Sequence, residues 1–512
     1  MIFPSLSRTV AAVCLLAVAL SAQEPKPVTA PAPAPAAAES KPPDKANDKA
    51  PEKEAPLPAD ANVAQSMQLD GKALPYKVTV GTLPVYDKDG KKSGEVVFTS
   101  YVVDGPDRPV TFALNGGPGA ASVFLNLGAI GPKRIQFGDA GDSPSDPTTL
   151  KDNPGTWLDF TDLVFLDPIG TGFSRSLVSV DETKKQFYTT EADIQYLSRT
   201  IYDWLVKNHR LPSRKYLAGE SYGGYRGPRI AHYLQTQLGV ALNGVVLVSP
   251  YLNPTLSDNA DVSPVPWMLT LPSISAAHLE REHKLTAQAM AQVIDYTRGE
   301  YATDLLKGRS DPAATPRIVK RVTAMTGLEE EFVRRSGGRL EIGAYLREVF
   351  RESGKLGSVY DSNVTSFDPY PFAPDQRTSD PLLESIIAPT TTAMVDFVTR
   401  VVGWKTDARY NTLSYSVNSQ WDRDSRALRL GAVPDLRQAV AADPKLRVLI
   451  AHGWNDLSCP FMGSVLTVDQ MPLMGDSNRV SVHEYPGGHM FYSRRDSQAA
   501  LRKDVQEMVA KH

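Results

Sequence analysis

Six short runs of hydrophobic, buried-type residues recur along the chain, at residues 110–114, 162–166, 215–218, 245–248, 448–451 and 480–483. Long helical or irregular stretches separate these runs, which is typical of a mainly parallel sheet with helices on both faces. Helical patterns are predicted at residues 190–209, 223–238 and 497–511. The pattern therefore predicts an α/β fold with a mainly parallel central sheet.

Two other patterns precede and interrupt this sheet. Alternating segments at residues 76–85 and 94–103 flank an Asp89-Gly90 pair, which favours a tight turn, and they predict an antiparallel opening hairpin. Between about residues 253 and 443 the strand pattern stops, and we expect an inserted cap over the carboxyl edge of the sheet. Helices are predicted within the cap at residues 275–298, 315–326, 328–335 and 340–351.

The first 62 residues differ in composition from the rest. Arg8 precedes an apolar run that ends at Leu20, and small residues follow, which predicts a signal peptide over residues 1–22. Residues 23–62 are rich in Pro, Ala, Lys and Glu and nearly lack large apolar side chains, so we expect a disordered linker there. The folded domain then spans residues 63–512, in a protein exported to the periplasm or the extracellular space with no integral membrane span after signal removal.

Charge, cysteine content and histidine spacing limit the partners, disulfides and metals that the chain is expected to have. The chain has 55 basic and 58 acidic residues, a net charge of -3, which argues against nucleic acid or an anionic membrane surface and favours small molecules or peptides. Signal removal leaves Cys459 as the single cysteine, so no intramolecular disulfide is expected. His278 and His283 lack the spacing of the helical zinc motif, and neither a metal nor another cofactor is expected. These features leave the oligomeric state open.

A nucleophile elbow is predicted where the run at residues 215–218 meets Gly219-Glu220-Ser221-Tyr222-Gly223. In this turn a strand reverses sharply into a helix, so small residues are needed two positions before and two positions after the serine. Gly219 and Gly223 meet that need, and the helical pattern at residues 223–238 follows at once. Ser221 is therefore the predicted nucleophile.

Ser221 needs a base that takes its proton and an acid that orients the base. In folds with a nucleophile elbow, these residues follow along the chain in the order serine, acid, histidine. Asp456 follows the run at residues 448–451, and His489 follows the run at residues 480–483. Considered alone, such an aspartate is more often a turn residue and such a histidine more often a surface group. The ordered set, at strand ends where ligands bind in open α/β sheets, favours catalysis.

The negative charge that develops when Ser221 attacks a carbonyl requires backbone N–H donors nearby. The loop Asn115-Gly116-Gly117-Pro118-Gly119 directly follows a predicted strand, and its glycines let the backbone approach a substrate closely. Without the elbow, a tight β-turn would be the preferred interpretation of this loop. With the elbow, the N–H groups of Gly117 and Tyr222 form the predicted oxyanion hole.

Four motifs in order resemble the serine carboxypeptidases (peptidase family S10), a branch of the α/β-hydrolases. They are Asn115 to Gly119, Phe165 to Ser174, Gly219 to Gly224, and Asp456 with Gly488-His489-Met490. The resemblance implies an α/β-hydrolase that removes single residues from peptides with a free C-terminus. It also implies that Asn115 and Glu220 bind the terminal carboxylate. A glutamic acid can donate to a carboxylate only while protonated, so an acidic preference is expected.

The chain departs from the family pattern near this carboxylate site. Ala113 stands where the family usually has Trp, and Ala129 stands where a Glu commonly precedes a Gly-Pro pair. Two alternatives to a carboxypeptidase therefore stay open: an exported esterase or acyltransferase of the same fold, and a non-catalytic binding protein of the cell envelope.

Overall fold

The computed structural model describes residues 55–137, 144–258, 260–373, 378–423 and 425–511. The expected signal peptide and residues 23–54 of the expected linker lie outside these ranges. The strands are β1 (Ala61–Leu69), β2 (Lys72–Tyr86), β3 (Lys92–Val102), β4 (Val110–Leu114), β5 (Lys133–Phe137), β6 (Thr148–Asp152), β7 (Asp162–Leu166), β8 (Arg175–Ser176), β9 (Lys215–Glu220), β10 (Gly244–Val248), β11 (Lys355–Gly357), β12 (Thr365–Phe367), β13 (Arg447–Gly453) and β14 (Val480–Tyr485).

Helices surround and follow these strands. The first ones are α1 (Val180–Phe187), α2 (Thr190–Lys207) and α3 (Tyr222–Gln237). Between β10 and β13 the helices are α4 (Val265–Arg281), α5 (Ala287–Tyr296), α6 (Ala302–Lys307), α7 (Ala314–Thr326), α8 (Glu330–Ser336), α9 (Ile342–Glu348), α10 (Pro381–Asp396), α11 (Tyr415–Gln420), α12 (Arg426–Arg429) and α13 (Val433–Ala442). The last ones are α14 (Phe461–Asp469) and α15 (Arg495–Ala510).

The central sheet has the strand order β1-β2-β3-β7-β4-β9-β10-β13-β14, with β8 paired to β3. The first three strands and β7 pair antiparallel, and every pair from β7 to β14 is parallel. All six hydrophobic runs found in the sequence are strands of the parallel part. The predicted α/β fold class is confirmed.

Alternating side chains of the buried strands supply two apolar cores, one on each face. In β4, Phe112 and Leu114 pack into one core and Ala113 packs into the other. Trp204 of α2 lies in the first core, and Leu501 of α15 lies in the second. Because both faces are covered, the functional groups gather at the carboxyl edge of the sheet, where the loops emerge.

The first strand corrects the expected start of the folded domain. The strand β1 begins at Ala61, inside the expected linker range 23–62, and it pairs antiparallel with β2. Met67 and Leu69 are buried, whereas alternate side chains of β1 face solvent. The first two positions of this edge strand carry no large apolar side chain, which explains why composition alone assigned its beginning to a linker.

Within the described residues, no strand of the central sheet lies between β10 and β13, and the range 253–443 stays our predicted extent of the cap. The single helix expected at residues 275–298 is wrong, because α4 ends at Arg281 and α5 begins at Ala287. Between them His283 has a positive φ of 54°, and the side chain of Thr286 caps α5. Among the described helices, each is too short or too polar to cross a bilayer.

Candidate active site

Ser221 occupies a strained turn between β9 and α3. Its φ of 59° lies in a region that non-glycine residues seldom adopt, and such strain is common at functional sites. A Cβ atom at position 219 would lie 2.1 Å from the carbonyl oxygen of Gly223, and one at position 223 would lie 2.2 Å from that of Leu114. The two glycines are therefore what allows the turn to close and the serine to protrude.

Asp456 and His489 lie in the loops after β13 and β14 and form a buried pair. The Nδ1 atom of His489 lies 2.8 Å from Oδ2 of Asp456. The other carboxylate oxygen of Asp456 accepts the backbone N–H groups of Ser458 and Cys459, which fixes its orientation. Burial by itself lowers the pKa of His489, but the charge and hydrogen bond of Asp456 outweigh it and raise this pKa well above its ordinary value.

The glycine-rich loop after β4 packs directly against the elbow. A Cβ atom at position 116 would lie 2.4 Å from the backbone nitrogen of Tyr222. Tyr222 is the first residue of α3, so its N–H has no carbonyl partner within the helix. Gly117 and Tyr222 thus lie beside Ser221, and all three line one cavity of about 310 Å³.

Glu220, directly before Ser221, holds a buried carboxyl group with two side-chain donors. The hydroxyl of Tyr492 lies 2.9 Å from each carboxyl oxygen, and Nδ2 of Asn115 lies 2.7 Å from Oε2. The amide oxygen of Asn115 accepts the N–H of Leu125, which directs the Asn115 Nδ2 group toward Glu220. Burial raises the pKa of Glu220 to about 7. A carboxyl group that is mostly protonated below about pH 7 is thus placed beside the predicted nucleophile.

A buried ion pair stabilises the helix that follows the elbow and the loop beside it. The guanidinium of Arg226 donates to Asp193, with a shortest distance of 2.6 Å, and both side chains are almost fully buried. The same guanidinium donates to the carbonyl oxygen of Asn115 at 2.7 Å and lies over the ring of Tyr222. Arg226 therefore links α2 and α3 to the loop that carries Asn115.

The structure brings together all seven site residues predicted from the sequence. Six of them line the cavity, and Asp456 lies behind His489. Sequence reasoning missed other side chains at this site, among them Tyr360, Trp421, Cys459 and Tyr492. Tyr360 and Trp421 come from the inserted segment, where the sequence carries no motif that would have singled them out.

One group of side chains at the site could in principle hold a metal. Asp456, Cys459 and His489 place one potential ligand atom each within 4.8 Å of one another. However, the carboxylate and the imidazole already bond to each other, and burial raises the pKa of the Cys459 thiol. A raised thiol pKa disfavours the thiolate that metals require. The group therefore fits an acid–base pair better than a metal site.

Comparison with known proteins gives the family. The model of the serine carboxypeptidase family matches residues 96–500, a range that contains every residue of the site described above. The chain belongs to the serine carboxypeptidase family. The resemblance inferred from the four motifs is thereby confirmed.

Similar members of the serine carboxypeptidase family come from plants and yeasts. Serine carboxypeptidase-like 36 of Arabidopsis thaliana is 29% identical over 212 residues, which are 40% of this chain and 41% of the relative. The pheromone-processing carboxypeptidase KEX1 of Ogataea parapolymorpha is 32% identical over 182 residues, which are 35% of this chain and 26% of the relative. The matched stretches thus span less than half the length of these relatives.

A solved structure also shares the fold. The prohormone-processing carboxypeptidase KEX1 of Saccharomyces cerevisiae superimposes with a TM-score of 0.53 and 17% identity, covering 85% of this chain and 91% of that structure. At this identity the likeness shows the α/β-hydrolase fold alone.

Proposed function

We propose that this protein is an exported serine carboxypeptidase that removes residues from the C-termini of peptides. The observation that carries the proposal is that Ser221 and His489 line one cavity with the buried carboxyl of Glu220, while Asp456 bonds to His489 from behind. Membership of the serine carboxypeptidase family and the predicted signal peptide over residues 1–22 support it.

In the proposed acylation step, Nε2 of His489 takes the proton of Ser221 while the serine oxygen attacks the carbonyl carbon of the last peptide bond. Asp456 holds the imidazole through Nδ1 and stabilises the imidazolium that forms. The N–H groups of Gly117 and Tyr222 donate to the oxyanion. The C–N bond then breaks, His489 returns the proton to the departing amine, and the C-terminal residue leaves.

Water resolves the acyl-enzyme in the second half of the reaction. His489 takes a proton from water, the hydroxide adds to the acyl carbon, and the Ser221 oxygen leaves with the proton that His489 returns. The product is the shortened peptide with a new carboxylate.

Glu220 and Asn115 give the proposed enzyme its preference for chain ends. A neutral Glu220 carboxyl donates a hydrogen bond to the terminal carboxylate, and Asn115 Nδ2 contributes a second donor. Burial holds the pKa of Glu220 at about 7, so this donor persists from acid pH to near neutrality. Binding of the substrate carboxylate should weaken as pH rises through this pKa.

The test is mass spectrometry of a peptide with a blocked N-terminus and a free C-terminus. We expect a series of products that each lack one more C-terminal residue, and no products from Ser221→Ala. Internal cleavage, or release that persists in Ser221→Ala, would contradict the proposal.

An esterase or acyltransferase is the second candidate, because Ala113 and Ala129 replace side chains usual in the family near the carboxylate site. The same acyl-enzyme would then form from an ester. Turnover of simple esters by Ser221 with no cleavage of peptides would favour this candidate. A non-catalytic binding protein would leave Ser221 unreactive toward a fluorophosphonate probe.

A further inference from the structure

Tyr492 lies beside the proposed carboxylate site but belongs neither to the triad nor to the predicted oxyanion hole. It lies three residues after His489, its side chain is buried, and its hydroxyl contacts both oxygens of Glu220 at 2.9 Å. No residue of the triad or of the predicted oxyanion hole makes this contact. The tyrosine thus acts on Glu220 and does not act on Ser221 directly.

The Tyr492 ring is packed against its neighbours. Gly128 lies beside it, where a Cβ atom would stand at the ordinary contact distance of 3.4 Å from Cε2 of Tyr492. Phe491 meets the ring edge-on, with ring centroids 6.0 Å apart. The hydroxyl is therefore held in place by packing.

A tyrosine hydroxyl can serve both protonation states of its carboxyl partner. It donates to an ionised Glu220, and it can accept a hydrogen bond from a protonated one. Asn115 cannot alternate in this way, because its oxygen is bonded to Leu125 and only Nδ2 faces Glu220. Tyr492 is thus the partner through which Glu220 can change its protonation state without leaving a buried polar atom unpaired.

We propose that Tyr492 is a positioning residue that orients Glu220 toward the terminal carboxylate of the peptide and sets the upper pH limit of substrate binding. This inference rests on the proposed carboxypeptidase function.

The charged groups around Glu220 and Tyr492 determine the sign of the effect. His489 favours the ionised form of Glu220, Asp456 opposes it, and the charge of Arg134 lowers the pKa of Tyr492 against the larger effect of burial. The hydrogen bond from Tyr492 lowers the pKa of Glu220 against the effect of burial. Removing the hydroxyl should therefore let Glu220 keep its proton to higher pH.

The test compares wild type with Tyr492→Phe, on a peptide with a free C-terminus and on its C-terminal amide. We expect the KM for the free acid to rise about three- to tenfold at acid pH, the size of one lost hydrogen bond. The pH at which this KM begins to increase should move upward by up to about one unit. The rate of Ser221 labelling by a fluorophosphonate, which carries no carboxylate, should stay unchanged.

Tyr485→Phe is the matched control, because the hydroxyl of Tyr485 bonds to Asp504 at 2.6 Å, away from Glu220. This variant loses the same kind of hydrogen bond and should leave the pH dependence of KM unchanged.

The experiment distinguishes failure of the role of Tyr492 from failure of the proposed carboxylate site. A wild type that discriminates free acid from amide, together with an unshifted or downward-shifted pH dependence in Tyr492→Phe, overturns the role of Tyr492 alone. A wild type that cleaves both peptides equally overturns the proposed carboxylate site and this inference with it.

Discussion

The backbone N–H of His489 donates to the carbonyl oxygen of Tyr360, a residue of the inserted segment. The ring of Tyr360 also meets the imidazole of His489 edge-on, with centroids 5.2 Å apart. Next to it, the carbonyl oxygen of Val359 accepts the N–H of Leu457, the residue after Asp456. The inserted segment thus contacts both loops that carry the proposed acid and base, and it helps to fix their geometry.

Gly488→Ala should disturb this contact. A Cβ atom at position 488 would lie 2.1 Å from the carbonyl oxygen of Tyr360, a distance that forces the two backbones apart. We expect kcat to fall by about 10²-fold, because small misplacements of catalytic groups are costly. The control is Gly463→Ala, where a Cβ would meet nothing within 4 Å. Equal kcat values in the two variants would show that the contact with Tyr360 does not matter.

Asp456→Asn tests whether the buried pair orients the base. The change keeps the size of the side chain but removes the charge that stabilises the imidazolium of His489. We expect kcat to fall by about 10⁴-fold, while the circular dichroism spectrum stays that of wild type. A loss smaller than about tenfold would mean that His489 is not the base or that Asp456 does not orient it.

The pH dependence should separate the roles of Glu220 and His489. As pH rises through about 7, the pKa to which burial raises Glu220, the KM for a free-acid peptide should increase because the neutral donor is lost. Glu220→Gln should abolish this increase, since an amide N–H donates at every pH. As pH falls through the pKa of His489, which Asp456 raises above its ordinary value, kcat should drop in both proteins because His489 must be neutral to accept a proton. An unchanged KM profile in Glu220→Gln would exclude Glu220 as the titrating donor.

Arg226→Met should destabilise the protein strongly, because it leaves the carboxylate of Asp193 buried without its partner. We expect the free energy of unfolding to fall by about 3–5 kcal/mol, as is usual when one member of a buried ion pair is removed. Arg400→Met is the matched control. Arg400 pairs with Asp396 on the surface, so this substitution should leave the free energy of unfolding nearly unchanged. Urea unfolding of both variants measures the difference, and similar stabilities would contradict a structural role for Arg226.

The sequence was sufficient to predict the parallel part of the sheet and the placement of the candidate site residues after its strands. Buried parallel strands require continuous hydrophobic runs, and each of the six runs became a strand. The elbow glycines and the positions of Asp456 and His489 after strand ends carry equally local signals. Such features depend on residues close together in the chain, which is why a single sequence reveals them.

Features that depend on distant contacts could not be read in this way. The side chains of β1 are alternately exposed because only one of its faces is buried, and its beginning resembles a linker. Tyr492 meets Glu220 across 272 positions of sequence, and Tyr360 reaches His489 from within the inserted segment. No local pattern marks either tyrosine as part of the site, because each owes its role to packing.

The most direct test is the release of free amino acids from a short peptide with a free C-terminus and from its C-terminal amide, at about pH 5 and about pH 7.5. It uses wild type and Ser221→Ala. We predict that wild type releases the terminal residue from the free acid and not from the amide, and that Ser221→Ala releases none. Equal release from both peptides, or cleavage of simple esters alone, would contradict a carboxypeptidase anchored by Glu220.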